Sequence, residues 1–142
     1  MKSLVVYDSL YGNTAQVAEA IGAALVGESQ VLRVAEANPS ELGSFDLVII
    51  GAPTQGGRAT EDMQAFLARV RALEGAKVAA FDTRLKARWV KVFGNAAGKI
   101  ATRLKALGAT LVADPEGFIV KGKKGPLVEG ELERAAAWAK SL

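Results

Sequence analysis

The chain has 142 residues, of which 50% are hydrophobic, and this suffices for the core of one domain. It contains no cysteine and no histidine, which excludes thiolate catalysis, disulfides, imidazole general bases and most transition-metal sites. The 18 Lys and Arg residues barely outnumber the 15 Asp and Glu residues, and aromatic residues are few, so no nucleic-acid partner is indicated.

No apolar stretch approaches the roughly 20 residues that cross a bilayer, and no signal-peptide pattern opens the chain, so we expect a cytoplasmic protein without membrane insertion.

Short runs of apolar β-forming residues alternate with segments of helical periodicity along the chain. The runs predict strands at residues 4–7, 31–35, 47–50, 78–81 and 110–112, the last of which could resume at 118–120. Apolar residues at helical spacing predict four helices, which begin near Thr14, Met63, Ala97 and Glu129. Thr60 is the predicted cap of the second helix, and the third is predicted to end near Gly108.

This alternation of strand and helix predicts an α/β protein with a doubly wound parallel sheet and helices on both faces. The first, third and fourth strands are apolar throughout, as expected for strands that are buried on both sides. No linker, repeat or low-complexity segment divides the chain, so residues 1–142 are predicted to form a single domain. Sheets of this kind bind ligands beyond the carboxyl ends of their strands, which makes the loops after these three strands the candidate binding loops.

The loop after the first strand has the composition of a phosphate-binding loop. Small and hydroxyl-bearing residues at a strand–helix turn leave backbone amides unpaired, and the helix N-terminus adds partial positive charge. The lysine of a nucleoside-triphosphate loop is missing, and an ordinary helix cap with a turn glycine remains the alternative. The residues of this loop are Ser9, Leu10, Tyr11, Gly12, Asn13 and Thr14.

The segment from Val5 to Thr14 resembles the phosphate loop of the flavodoxin family. Ser9, Gly12 and Thr14 match the family's pattern Thr/Ser-x-Thr/Ser-Gly-x-Thr, whereas Tyr11 stands where a small hydroxyl residue is usual. The segment is also similar to the flavodoxin modules of A-type flavoproteins and of certain quinone reductases. The resemblance implies a flavodoxin-like, five-stranded parallel sheet with strand order 2-1-3-4-5, the short-chain form without an insertion in strand five, and FMN as the cofactor.

The loop at residues 51–58 resembles the family's Gly-x-Pro-Thr/Ser loop, which flanks the flavin ring. The resemblance implies that Thr54 contacts the phosphate or the ribityl chain. The glycine-containing peptides that follow it could turn toward the flavin, because glycine tolerates the positive φ that such a turn demands. A flexible connection between strand and helix is the alternative. The cofactor contacts predicted from this loop are Pro53, Thr54, Gln55, Gly56 and Gly57.

Asp82, Thr83 and Arg84 follow the fourth predicted strand, where the family closes a loop over the other side of the flavin. The resemblance implies that backbone groups near Asp82 and Thr83 meet the polar edge of the ring. Arg84 would favour an anionic flavin or a substrate carboxylate, or else be a solvated surface cation. The family often stacks a Tyr on the ring here, whereas this chain offers Trp89 and Phe93, which could instead pack in the core.

Two further motifs match known patterns less well. The segment from Gly94 to Lys99 has three residues between its glycines instead of four and lacks the Ser/Thr of a nucleotide-binding loop. It is therefore expected to complete the flavin loop and to begin a helix at Asn95. Asp8 could be the phosphoacceptor of a receiver domain, but it has no acidic neighbour after the first strand.

Basic residues form two clusters in the sequence. Most flavodoxins are acidic and dock basic partners, so a redox partner of this chain is expected to be acidic or neutral. Alternatively, both clusters are ordinary solvent-exposed surface with no docking role. The first cluster is Arg84, Lys86, Arg88 and Lys91, and the second is Lys121, Lys123 and Lys124.

Together these observations predict an FMN-binding, flavodoxin-like electron-transfer protein that shuttles electrons between redox partner proteins, a reductase or an electron acceptor. The flavin performs the redox chemistry, so no catalytic side chain and no metal ligand are assigned. Two alternatives remain. One is an FMN-dependent NAD(P)H:quinone oxidoreductase, and the other is a flavin-free interaction module of the same fold, which Tyr11 and the missing stacking Tyr would favour.

Overall fold

The computed structural model describes residues 1–86 and 94–142, which contain a parallel sheet. The strands cross the sheet in the order β2-β1-β3-β4-β5, and β6 also pairs with β4. Every pairing between these strands is parallel. The strands are β1 (Lys2–Tyr7), β2 (Glu28–Arg33), β3 (Leu47–Pro53), β4 (Lys77–Leu85), β5 (Thr110–Leu111) and β6 (Glu116–Val120).

Two short segments occupy the fifth position of the sheet. β5 pairs with Lys77 and Val78 at the start of β4, whereas β6 pairs with residues 81–85 at its end. Only residues 112–115 separate the two segments, so strand five resumes as the sequence predicted. The predicted strand order 2-1-3-4-5 is confirmed.

Helices cover both faces of the sheet, as predicted. On one face, α1 and α4 cover a core that includes Ile49 and Phe81, and on the other face α2 and α3 cover Ile50 and Val78. None of the described helices is long and apolar enough to cross a membrane. The helices are α1 (Asn13–Ala24), α2 (Glu61–Arg69), α3 (Ala96–Ala106) and α4 (Glu131–Lys140).

The predicted position of the second strand is wrong. The structure has β2 at Glu28–Arg33 and a 3-10 helix at Val34–Glu36, where a strand was predicted at residues 31–35. β2 lies at the edge of the sheet and its side chains are mostly exposed, so it lacks the apolar run that marks a buried strand. Pairing with β1 determines its extent. A second 3-10 helix, Pro39–Ser44, precedes β3.

β3 and β4 continue further than the apolar runs predicted. Pro53 belongs to β3, and Asp82, Thr83 and Arg84 belong to β4 rather than to the loop after it. The extension of β4 follows from tertiary pairing, because β6 forms a parallel ladder with residues 81–85.

Gly51 in β3 lets the Phe81 ring lie against the backbone of the neighbouring strand. The two residues are paired across the sheet, and a Cβ on Gly51 would overlap the ring. Phe81 packs edge-to-face with Phe118 and Trp138, with ring centroids 6.2 Å and 6.3 Å away. This close approach therefore helps to join β3, β4, β6 and α4.

We predict that Gly51→Ala lowers the free energy of unfolding by about 2 kcal/mol, because the new methyl group must displace a fully buried aromatic ring. Urea unfolding of the purified variant measures the loss. Gly43→Ala is the matched control, since nothing lies within 4 Å of a Cβ at that position. A Gly51→Ala variant as stable as the Gly43→Ala control would contradict the prediction.

Glu131 and Arg134 connect the first turn of α4 to β6. Glu131 Oε2 accepts a hydrogen bond from the amide of Ile119 at 2.7 Å, and Arg134 Nη2 donates to the same oxygen at 2.7 Å. Arg134 also forms an ion pair with Glu116 at 3.0 Å and donates to the carbonyl of Gly117. The hydrogen bond from Arg134 holds the pKa of Glu131 below its usual value of 4.5, against the opposing effect of burial.

We predict that Glu131→Gln destabilises the fold by about 1–3 kcal/mol at pH 7, because two donors lose a charged acceptor. The folded state lowers the pKa of Glu131, so its contribution is fully present above the unfolded value of 4.5 and is lost as pH falls through the folded value. The difference between wild type and variant should therefore shrink below about pH 4. Urea unfolding curves of wild type and Glu131→Gln between pH 7 and about pH 3 measure this stability difference. Glu133→Gln, at an exposed position, is the control. A pH-independent difference would count against it.

Candidate functional site

A cavity of about 350 Å³ lies beyond the carboxyl ends of β1, β3 and β4, a size usual for small-molecule sites. All but two of the residues predicted from the sequence line it. They are Ser9, Leu10, Tyr11, Asn13, Thr14, Pro53, Thr54, Gln55, Gly56, Gly57, Thr83 and Arg84. The structure therefore brings all three candidate loops to one place.

Among the described residues, the cavity is also lined by Leu85, Val120 and Lys123, which sequence analysis did not assign to it, and by Gly94, which was expected to complete the flavin loop. Val120 ends β6 and Lys123 follows it, so both reach the cavity because β6 lies beside the end of β4. The predicted resumption of strand five at residue 118 was the signal that could have located them.

Gly12 and Asp82 are the two predicted residues that do not line the cavity. Gly12 precedes α1 with φ +93°, a left-handed conformation that favours glycine. Its amide donates to Ser9 Oγ at 3.1 Å, so it shapes the loop from within. Asp82 is fully buried and lies in β4.

The loop between β1 and α1 carries backbone donors without acceptors. In the described parts of the chain, the amides of Leu10, Tyr11, Asn13 and Thr14 make no hydrogen bond. All four residues line the cavity, and the last two belong to the first turn of α1, where the helix carries partial positive charge. This end of the cavity therefore suits an anion with several acceptor oxygens.

Hydroxyl groups add donors to the same end of the cavity. Ser9 Oγ accepts from the amides of Gly12 at 3.1 Å and Ala15 at 3.3 Å, which leaves its own proton to be donated. The hydroxyl oxygens of Thr14 and Thr83 lie 2.7 Å apart. One of these two hydroxyls donates its proton to the other, so the second hydroxyl keeps a proton that it can donate to a ligand.

The segment from Gln55 to Arg58 forms a tight turn beside the cavity. The amide of each end residue donates to the carbonyl of the other, at 2.9 Å and 3.2 Å. Gly56 and Gly57 between them have φ of +58° and +80°, the pattern of a type I′ turn, which glycine adopts without strain. Both glycines thus have positive φ, whereas the expected turn of these peptides toward a flavin stays a prediction.

The carboxylate of Asp82 organises the polar groups behind the wall. It is fully buried and accepts from Arg84 Nε at 2.7 Å, Arg84 Nη2 at 2.9 Å, Thr54 Oγ1 at 2.9 Å and the amide of Ala97 at 3.0 Å. Thr54 Oγ1 in turn accepts from the amide of Ala96 at 2.8 Å. The first amides of α3 thus find their acceptors on Thr54, directly after β3, and on Asp82 of β4.

These bonds change the roles predicted for two wall residues. Arg84 is not a solvated surface cation, because its Nε and Nη2 are paired with Asp82 and its side chain is only 20% exposed. Its Nη1 takes no part in that pairing, so the expected contact with an anionic flavin or a carboxylate stays a prediction. The Thr54 hydroxyl has one proton, which it donates to Asp82, so a ligand can receive no hydrogen bond from it. Gly117 lies opposite Asp82 on β6, and a Cβ there would overlap the guanidinium.

Asp8 lies behind the phosphate-type loop and is buried. Its carboxylate accepts from the amide of Ser9 at 2.9 Å and from the hydroxyl of Thr60. Thr60 also accepts from the amide of Met63 at 3.3 Å, which confirms its predicted role as the cap of α2. Asn95 caps α3 by accepting from the amide of Gly98 at 2.7 Å, so the segment from Gly94 to Lys99 begins a helix as expected.

Basic side chains after β6 lie beside the phosphate-type loop. Lys123 lines the cavity, and Lys124 Nζ lies 5.9 Å from the centroid of the Tyr11 ring. Gly125 packs against the side chain of Asn13, since a Cβ at that glycine would overlap the amide group. The predicted basic residues Arg88 and Lys91, and the candidate ring contacts Trp89 and Phe93, lie outside the described residues.

The fold and the cavity define a doubly wound α/β protein with a ligand site at the reversal of the winding. The family model described as flavodoxin domain matches residues 4–111. A flavodoxin from Maridesulfovibrio salexigens is 29% identical over 127 residues, which are 80% of this chain and 82% of that protein.

Solved structures agree with this similarity. Flavodoxin 2 from Bacillus cereus is 25% identical, with a TM-score of 0.85, and the match covers 99% of this chain and 97% of that one. The flavodiiron protein from Giardia intestinalis shares the fold with a TM-score of 0.78 at 21% identity, over 99% of this chain and 35% of that chain. The chain belongs to the flavodoxin family, whose members bind FMN.

We predict that Arg84→Met lowers the free energy of unfolding by about 3 kcal/mol, because the fully buried Asp82 carboxylate loses its charged partner. Guanidinium chloride unfolding measures the change. Arg71→Met, at an exposed arginine beyond α2, should change stability by less than about 0.5 kcal/mol. Similar losses in the two variants would show that Asp82 does not depend on this ion pair.

Proposed function

We propose that the chain holds FMN in the cavity at the end of the sheet and carries electrons between two redox proteins. Residues 9–14 would hold the phosphate. The glycine turn and the end of β4 would contact the flavin ring, together with Pro53 at the end of β3. Bound flavin supplies the redox chemistry, since it accepts and donates electrons, and the protein positions it.

The unpaired donors of the loop between β1 and α1 carry this proposal. A phosphate monoester holds close to two negative charges at neutral pH and has three terminal oxygens that accept hydrogen bonds. Four amides and the remaining hydroxyl protons of Ser9 and the Thr14–Thr83 pair match that demand. No Asp or Glu is among the described residues that line the cavity, so no carboxylate there repels the anion.

Tyr11 is compatible with phosphate binding although it departs from the family's pattern. Its side chain is 42% exposed and lies against Lys124 rather than being buried in the loop. A large residue at this position therefore leaves the backbone donors of the loop accessible. This supports the FMN-binding protein over the flavin-free interaction module.

The chemistry of the wall supports an electron carrier. General acid–base catalysis needs a side chain that exchanges a proton at the reaction centre, most often His, Glu or Asp. The chain has no histidine, and no carboxylate is present on the described wall. The single guanidinium there is paired with Asp82. These residues bind and orient a cofactor and leave the redox step to the cofactor itself.

We predict that Thr14→Val weakens FMN binding by about tenfold or more, because a hydrogen bond to a charged phosphate is lost. Riboflavin, which lacks the phosphate, should bind wild type and variant equally. Flavin fluorescence titrations of the apoprotein give both dissociation constants. Thr102→Val, at an exposed position on α3, is the control and should leave both constants unchanged.

Unchanged FMN affinity in Thr14→Val, or equal weakening for FMN and riboflavin, would contradict the assignment of the phosphate loop. A protein that takes up neither flavin would overturn the proposed function altogether. Rapid NADPH oxidation by the FMN-loaded protein in the presence of a quinone would replace the electron carrier by the oxidoreductase alternative.

A further inference from the structure

A groove of about 700 Å³ runs between α2 and α3 on the side of the sheet opposite α1. The exposed Ala68 of α2 contributes apolar surface to it, and Leu67 and Ile100 are buried beneath. Arg58, Lys99 and Arg103 also line it. The groove thus combines a small apolar floor with three cationic side chains.

The groove lies directly beside the cofactor cavity. Gly56, in the type I′ turn, lines both. The Lys99 side chain also runs close to the cavity, since a Cβ on the cavity residue Gly94 would lie 3.5 Å from Lys99 Cε. A molecule bound in the groove would therefore contact the same turn that borders the cavity.

The charge of the groove differs from that of the chain as a whole. The complete sequence is nearly balanced, with 18 Lys and Arg residues against 15 Asp and Glu residues. The described lining of the groove, in contrast, contains three cations and neither Asp nor Glu. Such a local excess attracts acidic partners and orients them during encounter.

A contact with the backbone of α2 restrains Arg103. Arg103 Nε donates to the carbonyl of Leu67 at 3.5 Å, which places the guanidinium across the gap between α3 and α2. Restrained side chains lose less conformational entropy when they form ion pairs, so the groove is partly preorganised for binding.

We propose that this groove docks an acidic segment of a redox partner protein. Carboxylates of that segment would pair with Arg58, Lys99 and Arg103, and an apolar side chain would contact the exposed Ala68. A protein is favoured over a nucleic acid because the floor is apolar and the described lining offers no aromatic ring on which bases could stack. The partner's redox role rests on the proposed function, whereas the binding itself does not.

The test is an NMR titration of the ¹⁵N-labelled chain with a synthetic acidic peptide, Asp-Glu-Leu-Glu-Asp-Leu-Glu, capped at both ends. Amide shifts should change along α2, α3 and the 55–58 turn, and a peptide with Lys at each acidic position should cause none. The combined variant Arg58→Gln, Lys99→Gln and Arg103→Gln should bind the acidic peptide about tenfold more weakly. Each of the three single variants should show a smaller loss.

The matched control removes the same charge from the opposite edge of the sheet, through Lys2→Gln, Lys77→Gln and Lys140→Gln, and should change the affinity less than about twofold. Equal losses in the two triple variants, or shifts centred on residues 121–125, would overturn the proposal. Tighter binding of a single-stranded oligonucleotide of equal charge in the groove would assign it to nucleic acid instead.

The titration is run on the chain with and without added FMN, so that two failures can be told apart. Peptide binding by a chain that takes up no FMN keeps the docking groove and rejects the proposed electron-transfer function. FMN uptake without peptide binding in the groove rejects the docking groove and leaves the proposed function standing.

Discussion

The buried carboxylate of Asp82 determines how β3, β4 and α3 meet at the edge of the sheet that carries the cavity. A fully buried charge is tolerated only with donors around it, and these come from Thr54, Arg84 and the first turn of α3. The same contacts supply acceptors to amides that α3 could not satisfy internally. Thr54 therefore donates its one hydroxyl proton into the protein, and Arg84 directs Nε and Nη2 to the same buried carboxylate.

The donors that suit an anion come from the loop after β1. The loop after β1 keeps backbone amides and hydroxyl protons without acceptors, while Asp8 and Gly12 shape it from behind. The contact between Thr14 and Thr83 links this loop to β4. The cavity thus has one end suited to a dianionic phosphate and another formed by a glycine turn and strand ends, which is the polarity of FMN itself.

This chain has a formal net charge of +3 at pH 7, whereas most flavodoxins are acidic. Lys123 lies in the cavity wall, and Arg58, Lys99 and Arg103 line the neighbouring groove. Basic side chains thus line the cavity and the groove beside it. An electron carrier meets its partners at the exposed edge of its cofactor, so the sign of the charge at this edge bears on which partners approach fastest.

The amino-acid sequence alone determined the doubly wound α/β fold, the phosphate-type loop and the cap at Thr60, because these depend on patterns within a few neighbouring residues. Only the tertiary structure decided the extent of β2 and β4, the pairing of Arg84 with Asp82, and the presence of Val120 and Lys123 in the site. Arg84 and Asp82 face the same side only if residues 82–84 are a strand, since side chains alternate along a strand. That strand extends because β6, more than thirty residues later in the chain, pairs with it.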